Sequence, residues 1–188
     1  MIIANSIGVF LFFFLLWKTL KDDYHYEKIF NLSFILLGCA IVFWLISGYV
    51  EESYRFIFIF FGSFIVFTFG LIKQKMNFYE SFEGFVISVL AWSAVFTLQI
   101  TISQSSLSSF LSFWMTLISI FIFYVSKTYY RSFSWYKSGK VGFAGIVSLI
   151  FFILSKVPFY WGTNAIYLLI SASLLLVLVL YNLSRKVN

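Results

Sequence analysis

The chain has 188 residues, of which 62% are hydrophobic, 24% aromatic and only 11% charged. Soluble domains carry about 25% charged residues, so there is too little charge here to coat a water-facing surface, and the composition is that of an integral membrane protein. The net charge of +6 sits in short segments between apolar runs; it points to anionic lipid and to membrane topology rather than to nucleic acid.

Seven runs contain no Asp, Glu, Lys or Arg: residues 2–17, 29–50, 56–72, 84–102, 107–126, 141–155 and 157–183. A bilayer-spanning helix takes about 20 apolar residues, so the first and sixth runs are short. Lys18 can snorkel and extend the first. The sixth is expected to continue through Lys156 towards Tyr160, with the seventh starting near Thr163. No run alternates polar with apolar residues, which argues against a membrane barrel. Backbone groups in lipid must then be satisfied within helices. The expected fold is all-α and polytopic, with about seven transmembrane helices in one domain over residues 1–188.

The first run has no basic segment before it and no small-residue cleavage site after it; Lys18 and Lys21 follow instead. It reads as a retained helix rather than a removed signal peptide. Orientation comes from the basic residues. Eleven of the thirteen fall in segments 18–28, 73–81, 127–140 and 185–186, on one side; Arg55 and Lys156 alone fall on the other. By the positive-inside rule the N-terminus is outside and the C-terminus cytoplasmic. The richest of these segments, KTYYRSFSWYKSGKVGF at 127–143, has four cations, five aromatic residues before its last turn and no acid. Arg131, Lys137 and Lys140 within it are candidates for contact with anionic headgroups.

Few residues offer chemistry. Glu51 and Glu52 could act as an acid–base pair, but Arg55 beside them makes a solvated turn the plainer reading. The stretch QITISQSSLSSFLS, from Gln99 to Ser112, could line a headgroup cavity or form a serine-capped hairpin, and the cap is the simpler of the two. Lys156 lies between two apolar helices, where a cation is costly and often holds phosphate; the alternative is snorkelling to headgroups beside Tyr160 and Trp161. His25 sits in a charged loop and has no companions for a metal. Cys39 has no partner in the chain and reads as a small packing residue. Gly139, Gly142 and Gly145 lack the strand and lysine of a phosphate loop, so no nucleotide or other cofactor is expected.

Three stretches carry a family resemblance: LLWKTLKDDYHYEKIFNLSFILLGCAIVFW at 15–44, FFGSFIVFTFGLIKQKMNFYESFEGFVISVLAW at 60–92 and YYRSFSWYKSGKVGF at 129–143. With seven helices and an outside N-terminus, the chain resembles the prolipoprotein diacylglyceryl transferases. The resemblance implies a bacterial-type cytoplasmic membrane and transfer of diacylglycerol from phosphatidylglycerol to a lipobox cysteine of a lipoprotein precursor. It places Gly62 and Gly70 where the family has a His-Gly-Gly run, Gln99 near its Gly-Arg-x-Gly-Asn-Phe motif, and Lys156 near a late arginine. The family's His, Arg and Asn are absent from these positions, and lysine lacks arginine's bidentate fork for phosphate. The chain is therefore expected to be a shortened, degenerate member that binds phospholipid through Lys156, Gly62, Gly70 and Gln99. The alternatives are a non-catalytic membrane protein that binds lipid or a partner helix and, last, a small transporter.

Overall fold

The structure is a computed structural model and describes residues 2–49, 52–129, 142–156 and 165–185. All regular structure among these residues is helical: α1 (Ile2–Leu20), α2 (Tyr26–Ser47), α3 (Glu52–Gln74), α4 (Phe78–Gln104), α5 (Leu107–Tyr129), α6 (Phe143–Lys156) and α7 (Ala165–Arg185). Among the described residues, three stretches are long and apolar enough to cross a membrane: Tyr26–Phe43, Phe78–Gln104 and Leu107–Tyr129. This is the length and composition expected of a membrane protein.

The helices outrun the apolar runs at their polar ends. α4 starts at Phe78, six residues before the run at 84, and takes Glu80 into its first turn. A carboxylate there faces the positive end of the helix dipole, so charge closes the apolar run without closing the helix. α1 likewise continues through Lys18 to Leu20, and α5 through Lys127 to Tyr129. α6 ends at Lys156, and the residues expected to prolong it lie outside the described ones.

Helix α4 is the hub of the bundle. It packs along α1 on one side and against α5 and α6 on another, while α2 pairs with α3, and α7 lies on α6. The main core joins Leu16 and Leu20 of α1, Leu32 of α2, Phe67 of α3, Phe82 and Phe85 of α4, and Phe152 of α6. Phe67 stacks on Phe85, centroids 4.4 Å apart. Small residues let the helices close up. A methyl group on Gly8 would overlap the indole of Trp92, and Gly84 sits against Leu16, Leu20 and Thr19, so each glycine makes room for side chains of the facing helix between α1 and α4. Outward faces carry Phe10, Phe34, Ile65, Phe69, Phe121 and Leu175, all exposed. Apolar surface of that extent suits lipid rather than water.

Candidate functional site

The end of the bundle where α4 turns into α5 carries the polar stretch 99–112. Ser105 ends α4 in the left-handed region, φ 48°, and its N–H bonds the Thr101 carbonyl. Ser106 caps α5: its Oγ accepts the Ser109 N–H at 3.2 Å, and Ser109 returns a hydroxyl bond to the Ser106 carbonyl at 2.9 Å. The serines thus close the turn by satisfying helix-end groups. An open depression of about 490 Å³ lies over it, lined by Thr101, Ser105, Ser106, Leu107 and Phe110.

One turn deeper, α5 turns a polar stripe inward. Ser109, Thr116, Ser119 and Phe123 are buried and recur, with half-buried Ser112, at the three- and four-residue spacing of one helix face. α6 answers with buried Ser148, Phe152, Ser155 and Lys156. Most of these hydroxyls bond back to their own helix: Thr116 to Ser112, Ser119 to Met115, Ser148 to Ala144 and Ser155 to Phe152, at 2.7–2.8 Å. Back-bonding settles them in a dry setting and keeps the interface narrow.

Lys156 is the cation in this seam. It is only 8% exposed. Its Nζ donates to Ser112 Oγ at 2.8 Å and lies 4.8 Å from the centroid of the Phe152 ring. The side chain therefore folds back into the bundle along its own helix, where snorkelling would carry it away. Its place in the last turn of α6 also sets its charge at the negative end of the helix dipole.

The other residues singled out from the sequence do not converge on it. Gly62 meets Phe43 and Gly70 meets Leu32, so both are contacts between α3 and α2. Gln99 lies two turns beyond Trp92 on the face of α4 that meets α1. Its Oε1 is buried with no hydrogen-bond partner among the described residues. Arg131, Lys137 and Lys140 lie outside the described residues, as do Glu51, Tyr160 and Trp161. His25 is exposed with its ring against Tyr26, and Cys39 is half-buried and free. Among the described residues no three His, Cys, Asp or Glu side chains gather for a metal.

Two relationships were not foreseen. Ser112 closes the polar stretch, yet nothing in the local pattern ties it to a lysine 44 positions away. At the opposite end Tyr24 donates to Glu80 at 2.7 Å and accepts the Asn77 N–H at 2.8 Å, tying the α1–α2 turn to the α3–α4 turn. No family model matches the chain, and no curated protein and no solved structure matches it either.

Proposed function

We propose that the chain is a seven-span protein of a bacterial-type cytoplasmic membrane, N-terminus outside, that binds the phosphate of an anionic phospholipid where α5 and α6 meet. The observation that carries this is Lys156, a buried ammonium in the last turn of α6 with a serine hydroxyl 2.8 Å away. A cation with an adjacent hydroxyl matches a phosphodiester oxygen in both charge and hydrogen bonding. Lysines buried among membrane helices are commonly functional. The skew of basic residues supports the orientation, which puts this site in the outer half of the bundle. The resemblance to diacylglyceryl transferases points to phosphatidylglycerol as the lipid and to a lipoprotein precursor as partner. The packing of Gly62 and Gly70 against α2 favours a lipid binder on that frame over a complete transferase.

The test is native mass spectrometry of the purified protein with phosphatidylglycerol and, separately, diacylglycerol, which lacks the phosphate. Preferential retention of phosphatidylglycerol, reduced roughly fivefold by Lys156→Ala, supports the site. Equal retention of both lipids refutes it. Adding a lipobox-cysteine peptide decides the chemistry: a diacylglyceryl mass gain makes the protein a transferase, and its absence leaves a lipid-binding protein.

A further inference from the structure

Ser112 differs from the buried hydroxyls along the α5–α6 seam. Ser109, Thr116, Ser119, Ser148 and Ser155 each give their proton to a carbonyl of their own chain within four residues. The bond recorded at Ser112 Oγ is instead the one received from Lys156 Nζ. A hydroxyl whose proton is not tied to its own helix, next to an amine nitrogen at 2.8 Å, is the arrangement of a nucleophile with its base. The two also differ in access: Ser112 is half-buried and open to an incoming group, while Lys156 stands behind it, 8% exposed and braced by the Phe152 ring.

We propose that Ser112 and Lys156 form a serine–lysine pair that takes an acyl group from an ester-linked lipid, resting on the assignment of this end of the bundle to phospholipid. As an ammonium, Lys156 holds an anion; as the free amine, it is the base. In that second state Ser112 Oγ attacks the ester carbonyl carbon and its proton passes to Nζ. The bond from carbonyl carbon to glycerol oxygen breaks, and the glycerol oxygen takes the proton from Nζ. The product is an acyl-serine and a lipid short of one chain, and water or a second hydroxyl releases the acyl group by the same steps.

No competing base is close among the described residues. Lys127 lies fifteen residues further along α5, about 22 Å at helical rise. Glu83 packs on Gly145, eleven residues before Lys156 and so about 16 Å away. Lysine serves this role in water-excluded sites, and serine–lysine pairs do acyl transfer on several unrelated folds.

The experiment is labelling of the purified full chain with a fluorophosphonate, an electrophile that captures activated serines with loss of fluoride, followed by peptide mass spectrometry. The expected adduct is on Ser112. Ser112→Ala abolishes it, and Lys156→Arg, which keeps the charge without a usable base, slows it by about 100-fold. Thermal unfolding in detergent is followed for each variant, and Lys156→Met serves as a second base-free variant if arginine does not fold. An adduct formed at the same rate in Lys156→Arg, or no adduct on Ser112, overturns the pair. Retention of phosphatidylglycerol by the same preparations separates this failure from failure of the lipid site: lipid retained without an adduct leaves a binding site alone, and lipid not retained removes the lipid assignment itself.

Discussion

The Tyr24 hydroxyl donates to Glu80 Oε2 at 2.7 Å across 56 positions of sequence, and it accepts the backbone N–H of Asn77 at 2.8 Å. One phenol therefore pins the turn after α1 to the start of α4, the two helices that share the most extensive contact in the bundle. Tyr24→Phe removes the donor to Glu80 and the acceptor for Asn77 together, with an expected loss of about 1 kcal/mol in thermal or denaturant unfolding.

That loss depends on pH in a defined direction. Burial and then the hydrogen bond to Glu80 push the Tyr24 hydroxyl above its ordinary 10.0, with the Asn77 bond opposing. A group raised in the folded state contributes its full stability below the unfolded value. The contribution is lost as pH rises through the folded one. The gap in stability between wild type and Tyr24→Phe should be constant up to about pH 10 and close above it. A gap that widens at alkaline pH would contradict the assignment.

Glycine substitutions should separate two kinds of site. Gly142 opens α6 at φ +70°, and a Cβ there would stand 2.9 Å from the Tyr79 carbonyl oxygen, which is backbone and cannot swing aside. Gly142→Ala meets both a disfavoured conformation and a clash, and a loss of about 2 kcal/mol is expected. Gly38 on α2 has open space around the same position. Gly38→Ala should be neutral or stabilising by about 0.5 kcal/mol, through the lower entropy cost of alanine in a helix. Thermal unfolding of the two variants side by side measures the contrast.

How far the sequence alone reaches can be judged from single residues. The position of each helix was legible from the lack of charge across its middle, because lipid and core both exclude charge. The start of α4 was not, because Glu80 and Glu83 interrupt the apolar run, while Glu80 in the first turn suits the start of a helix. Lys156 stood out as a misplaced cation. Its bond to Ser112 did not, since the pairing is made by α6 folding back on α5 and leaves no periodic trace. Gly62 and Gly70 were recognisable as small residues, whereas what fills the space beside them, Phe43 and Leu32, is a property of the packing.

Ser105 tests the hairpin between α4 and α5. It holds φ 48° at the C-cap of α4, a region that side chains enter at a cost of roughly 1–2 kcal/mol and glycine enters freely. Ser105→Gly should raise stability by up to about 1 kcal/mol, while Ser106→Ala, which removes the cap on the Ser109 N–H, should lower it by about 1 kcal/mol. If both variants moved stability in the same direction, the two serines would not be dividing the turn in this way.

The number of crossings can be checked by parity. Asp22 lies between α1 and α2, and Ser108 lies in the first turn of α5; both are exposed. Three helices, α2, α3 and α4, separate them in the chain. In a Cys39→Ser background, Asp22→Cys and Ser108→Cys are treated in intact cells with a membrane-impermeant maleimide. If all three helices cross, the two positions face opposite sides. With the basic segments inside, Ser108→Cys labels directly and Asp22→Cys labels only after permeabilisation. Labelling of both from one side would mean an even number of crossings, so that one of the three, or all of them, fails to cross.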